Sequence, residues 1–97
     1  MTDAAPGGSV RIAPDHPALP GHFPGNPIVP GVVLLDRIAA LIERDGRRLA
    51  RLGAVKFLAP LRPGEEAAIR IVRDGARVRF HIERDGTPIL RGEGELA

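Results

Sequence analysis

The segment from His22 to Asp36, HFPGNPIVPGVVLLD, puts an imidazole, a helix-opening glycine and a carboxylate in one short stretch of chain. Imidazole titrates near neutrality, so His22 suits general-base work, and the prolines and glycines around it restrict its motion. Gly31 falls at the first turn of the helix that the following residues predict. Backbone N–H groups there lack intrahelical acceptors and the helix dipole is positive, which would stabilise a carbonyl oxygen gaining negative charge. Asp36 lies one turn on from Val32 and Val33, with Ala39 and Ala40 beside it, and partial desolvation there would favour its protonated form. Base, oxyanion donor and acid together suit proton abstraction next to a thioester carbonyl, with expulsion of a β-hydroxyl. Each residue also has a plainer explanation. A lone His in a Pro-rich loop is often a structural hydrogen-bonder, and an Asp sharing a helix stripe with Glu43 and Arg44 is usually just solvated. Spacing alone leaves both readings open.

The elements that would hold these groups are legible in outline. Residues 1–8 are small, polar and rich in Gly and Pro, and are expected to be disordered, with the folded domain running over 9–97. Ser9–Ala13 alternates like a short strand. From Pro14 to Pro30 the prolines and glycines forbid a helix or an interior strand, so a structured loop is expected. Gly31–Arg44 is apolar on most sides, with Asp36, Arg37, Glu43 and Arg44 on one narrow stripe, which predicts a helix largely wrapped by other structure. Pro30 fits its entry, and Asp45-Gly46 between Arg44 and Arg47 fits its exit. Four antiparallel strands should follow: Leu49–Leu58, Glu65–Arg73, Arg77–Glu83 and Ile89–Leu96. Asp74-Gly75 and Asp85-Gly86 mark hairpins, and Pro88 is tolerated at the start of the last strand. The class is therefore α+β.

Composition bounds the function. A chain of 97 residues is one small domain with a modest core, so an oligomer is expected. It has no Cys, hence no disulfide and no thiolate metal site, which fits a reducing compartment. The first residues carry no basic or apolar leader and no run is long enough to span a membrane, so a cytoplasmic location with no membrane partner is expected. The isoelectric point is alkaline because 13 of the 14 bases are Arg and no Tyr or Cys titrates; the net charge is only +2. Three Phe without Tyr or Trp make no stacking platform, and nucleic acid is not an expected partner. The densest basic cluster, Arg44, Arg47, Arg48 and Arg51, reads as a solvated helix end before it reads as a dock for an acidic protein. No His or carboxylate pair has metal-ligand spacing, and the glycines form no nucleotide-binding fingerprint.

The segment GHFPGNPIVPGVVLLD resembles the signature of the β-hydroxyacyl-acyl-carrier-protein dehydratases of fatty acid synthesis, HFPG-x-P-x-x-PG with Glu or Asp following. Val55-Lys56-Phe57-Leu58-Ala59-Pro60 with Pro63-Gly64 is similar to the strand and turn that come next in that family. The resemblance covers most of residues 9–96. It implies a hotdog fold, an antiparallel sheet wrapped around one long helix, with active sites formed across a dimer interface. It implies His22 and Asp36 as the catalytic pair, Gly31 as the N–H donor to the thioester carbonyl, and substrate contacts at Phe23 and Val32. The implied substrate is a 3-hydroxyacyl thioester on acyl carrier protein, with no cofactor and no metal. Asp in place of Glu resembles the dehydratase/isomerase branch. The compact length resembles dehydratases of aryl-polyene and specialised fatty-acid clusters. One departure stands out: Ala40 occupies the position where the family carries a Gln that hydrogen-bonds the acid. Three alternatives follow: a thioesterase or an isomerase on the same fold, or a non-catalytic subunit that completes a heterodimer with an active relative.

Overall fold

The computed structural model describes residues 3–16, 28–44 and 46–97. The elements run β1 (Asp3–Arg11), α1 (Gly31–Glu43), β2 (Leu49–Phe57), β3 (Glu66–Asp74), β4 (Arg77–Arg84) and β5 (Thr87–Leu96). All five strands join one antiparallel sheet in the order β1-β3-β4-β5-β2.

Period-two alternation decides which face of the sheet is covered. In β3, Ala67, Ile69 and Ile71 are buried, and in β4 so are Val78, Phe80 and Ile82; the residues between them point to the opposite face. Gly92 lies opposite Phe80, and a Cβ there would stand 2.9 Å from the Phe80 ring, so the absent side chain makes room for the largest core residue. Asp85 and Gly86 both take positive φ, 48° and 81°, the requirement of the two-residue hairpin that their sequence signals. Pro88 sits beside the register shift near the start of β5, where a missing ladder donor is tolerated.

Pro30 precedes α1 with φ −59° and ψ 141°, and the helix closes at Arg44, whose N–H donates to Ala40 O at 3.1 Å. Gly46, at φ 81°, then turns the chain away, as the Asp-Gly pair suggested. The helix packs one stripe on the sheet: Val33, Leu34, Ile38 and Ile42 are buried, the last three at successive four-residue steps. Each such side chain contributes about 2 kcal/mol of burial before entropy is counted. The expectation of a largely wrapped helix is corrected here. Val32 is 70% exposed, and Asp36, Arg37 and Ala40 are exposed too, because one five-stranded sheet can cover only one side of a helix.

A second correction concerns the N-terminus. β1 starts at Asp3 rather than at Ser9, and its first residues, expected to be disordered, pair with Arg73, Val72 and Ile71 of β3. The register shifts between Ala5 and Gly8, which accommodates Pro6 on what is an edge strand. After β1 the chain is pinned to the β2–β3 connection: Gly64 N–H donates to Ile12 O at 2.8 Å and Arg11 Nε to Gly64 O at 3.0 Å.

Ile38 is fully buried at the centre of the helix–sheet contact. Ile38→Ala should lower the unfolding free energy by about 3 kcal/mol in a urea titration, and a loss below about 1 kcal/mol would show that the helix is not docked as described.

Candidate active site

The start of α1 opens onto a groove of about 580 Å³ walled by residues 28–31, Leu34 and the segment Phe57–Leu61. Isolated backbone bonds hold its walls. Val29 N–H donates to Leu61 O at 2.8 Å, joining the helix approach to the turn after β2, and Leu58 N–H donates to Ile89 O at 2.8 Å, joining that turn to β5. A half-buried latch fixes the turn itself. Arg84 Nη1 donates to Pro60 O at 2.9 Å and to Glu65 Oε1 at 3.1 Å, while Glu65 Oε1 also accepts from Arg62 N–H at 2.8 Å. Charge-assisted bonds of this kind hold geometry better than an exposed pair would.

Gly31 begins the helix and no side chain caps it; Val33 N–H donates to Pro30 O at 3.0 Å, which leaves the Gly31 and Val32 N–H groups without an acceptor among the described residues. The Phe57 ring lies against this residue: a Cβ on residue 31 would stand 2.5 Å from Phe57 Cε1. Glycine is therefore required here by close approach of an aromatic ring. Sequence reading placed Phe57 in a strand and assigned it no part in the site; only the packing of β2 against the helix start reveals it. Phe57 is nevertheless 56% exposed, as is much of the neighbouring Leu58.

Asp36 is not in this groove. It stands on the exposed side of α1 with Val32 one turn before it and Ala40 one turn after, whereas the groove takes Leu34 from the buried side. Among the described residues nothing apolar covers it and no side chain hydrogen-bonds it. Ala40 offers no donor at the position where the dehydratases carry an amide. Val32, an expected substrate contact, shares the exposed stripe. His22 and Phe23 lie outside the described residues. His16 and His81 are both half-buried and away from the groove, His81 on the face of the sheet opposite the helix. Among the described residues no three His or carboxylate groups approach closely enough to hold a metal ion.

The sheet has two open edges beside this arrangement. β1 and β2 terminate the sheet. β1 carries Pro6 and one register shift; β2 carries two register shifts but no proline, and Leu52 and Phe57 of β2, with Leu58 just beyond it, are exposed. The uncovered edge, the groove mouth and the exposed stripe of α1 hold all the large exposed apolar residues among the described part of the chain.

A family model described as the ApeI-like dehydratases matches residues 4–93. The 3-hydroxyacyl-[acyl-carrier-protein] dehydratase FabZ of Thermomicrobium roseum is 33% identical over 100 residues, covering 93% of this chain and 65% of that protein. FabZ of Latilactobacillus sakei is 36% identical over 87 residues, covering 79% and 60%. The chain thus spans a little under two thirds of the length of these relatives. Among solved structures, a chain of the dehydratase heterocomplex ApeI:P from Xenorhabdus doucetiae superposes with a TM-score of 0.81 at 22% identity, over 100% of this chain and 98% of that one. An uncharacterized protein from Erwinia carotovora gives 0.79 at 21% identity, over 100% and 92%. At these identities the superpositions speak for the fold, an antiparallel sheet around one helix, and the family match speaks for descent: the chain is a hotdog-fold protein of the ApeI-like dehydratase family.

Proposed function

We propose that the chain removes water from a 3-hydroxyacyl thioester carried on acyl carrier protein, giving the trans-2-enoyl thioester, in a site completed by a second hotdog chain. His22 takes the proton from C2, and the electrons move into the thioester carbonyl, whose oxygen accepts from the Gly31 N–H. The enolate-like intermediate then collapses to a C2–C3 double bond as the C3–O bond breaks, and Asp36 of the other chain protonates the departing hydroxyl to water. Proton exchange with solvent returns His22 to the neutral base and Asp36 to the acid. The Phe57–Leu61 wall offers an apolar surface to the acyl chain, with Phe23 and Val32 expected to add to it.

The observation that carries this reading is the separation of Asp36 from its own groove. Gly31 opens the groove, while Asp36 faces outward on a stripe beside an unpaired strand edge. Pairing of β2 edges would bring one chain's stripe toward the other chain's groove and give Asp36 the apolar surroundings that its own chain withholds.

A second reading rests on Ala40. Without the amide that steadies the acid in related dehydratases, the chain would serve as the non-catalytic member of a heterodimer; the similar fold found in a dehydratase heterocomplex, ApeI:P, supports assembly with an unlike chain. Turnover by the homogeneous protein excludes that role. A thioesterase would release a free acid, and an isomerase a shifted double bond, so product mass and chromatography separate these alternatives from dehydration.

His22→Ala and Asp36→Asn should each lower the dehydration rate at least ~10²-fold without changing the unfolding midpoint, the size expected of a positioned base or acid. Near-normal turnover by either variant on 3-hydroxyacyl carrier protein overturns the mechanism. Gly31→Ala should force the Phe57 ring aside and lower stability, and Phe57→Ala should recover part of that loss, a coupling of about 1 kcal/mol in a double-mutant cycle. Strict additivity would show that the ring does not rest on the helix start.

A further inference from the structure

Arg84 ends β4 at the Asp85-Gly86 hairpin, opposite Thr87, and does not line the groove. Its guanidinium nevertheless reaches the groove wall. One nitrogen, Nη1, donates both to Pro60 O at 2.9 Å and to Glu65 Oε1 at 3.1 Å. The side chains of Arg84 and Glu65 are 25% and 33% exposed. A pair so placed gives up hydration that its mutual attraction only partly returns, so it is a weak source of stability. What it supplies is direction, because a charge-assisted bond fixes the carbonyl that accepts it.

The wall needs such a fixture. Residues 58–65 belong to no strand, and Pro60 and Pro63 have no N–H to give to a ladder. Glu65 closes the turn on itself: its Oε1 accepts from Arg62 N–H at 2.8 Å, and its own N–H donates to Arg62 O at 3.1 Å. The two ends of the segment are anchored on the sheet and beside β1. Leu58 and Ala59 N–H both donate to Ile89 O, and Gly64 N–H donates to Ile12 O at 2.8 Å. Between these anchors stands the Pro60-Leu61 peptide, and Arg84 is the side chain that holds it.

From that peptide the path to the helix is one bond long. Leu61 is buried, and its O accepts from Val29 N–H at 2.8 Å. Val29 is buried as well, and only Pro30, whose ring sets its φ, separates it from Gly31. A displacement of Leu61 therefore moves Val29 and, through a stiff connection, the N–H that opens the groove.

We infer that Arg84 is a positioning residue: seated by Glu65, it holds Pro60 and Leu61, and through the bond from Val29 to Leu61 it sets where the Gly31 N–H points. The consequence for catalysis rests on the function proposed above. There the Gly31 N–H meets the thioester oxygen as negative charge builds on it. Misplacing the donor then costs the transition state more than the bound substrate, and the loss falls on kcat and not on KM.

The test uses the full chain, with hydrogen exchange of single amides read by NMR and turnover of 3-hydroxybutyryl and 3-hydroxydecanoyl carrier protein. Arg84→Met keeps the apolar stem and removes the donor. It should speed exchange of the Val29 amide at least about tenfold more than that of Ile69 and Phe80 in the sheet. It should lower kcat about tenfold for both acyl lengths, with KM altered less than about twofold. Arg84→Lys, whose Nζ can donate to both oxygens, should restore kcat to within about threefold of wild type. Arg84→Met/Glu65→Gln leaves no unpaired carboxylate; it should regain the unfolding midpoint and keep the loss of kcat, which guards against a folding defect. Glu93→Gln, which breaks the exposed pair with Arg77, should change neither exchange nor kcat. Val29 exchange that rises only in step with Ile69 and Phe80 overturns the inference, as does a wild-type kcat in both Met variants. So does a loss confined to KM of the longer substrate, which would put the effect of Arg84 on the acyl wall. If wild type turns over neither substrate, the dehydratase reading fails and Val29 exchange alone decides the coupling.

Discussion

One helix must be shared out over more than one task, and the rest of the molecule follows from that constraint. The five strands can cover a single side of α1, and Leu34, Ile38 and Ile42 occupy it. The start of the helix and its outward stripe are left for another purpose. Its first turn, uncapped, opens the groove, and its outward stripe carries Val32, Asp36 and Ala40. A larger domain would bury such a stripe under a second layer of its own. Among the described residues nothing covers that stripe, and the proposed function assigns the cover to a second chain paired at the β2 edge.

The same economy explains why the groove walls are tied so firmly. The walls come from the turn after β2 and the approach to α1, neither of which has a regular ladder to hold it. The bonds from Val29 to Leu61 and from Leu58 to Ile89, with the Arg84–Glu65 latch on Pro60, replace that ladder. Phe57 then rests on Gly31 because the strand that carries it ends at the mouth of the groove. A fixed wall beside the Gly31 N–H at a positive helix end is the arrangement on which the proposed stabilisation of an enolate rests.

Much of this was legible in the sequence, and the exceptions share a cause. The helix from Gly31, the hairpins at Asp74-Gly75 and Asp85-Gly86 and the alternation of β4 are local patterns, and local patterns survive folding. The first half of β1 was not legible, because an edge strand containing Pro6 is held by backbone pairing with β3 and needs no side-chain alternation. The exposure of Val32 and Ala40 among the described residues was not legible, since apolar residues on a helix tell that something will cover them without telling what. Phe57 against Gly31 depends on tertiary packing, which no spacing along the chain encodes. The signature around His22, Gly31 and Asp36 was legible as a family mark, yet the outward placement of Asp36 was not.

The central claim is that a working site takes its base and its acid from two chains. Co-refolding His22→Ala with Asp36→Asn tests it, because random pairing makes half the dimers mixed, and in each mixed dimer one site collects both defects while the other keeps both native residues. Recovery of roughly a quarter of wild-type dehydration from two inactive parents is the expected result. A mixture that stays inactive, with heterodimers confirmed by native mass spectrometry, would place both residues in one chain's site and contradict the account.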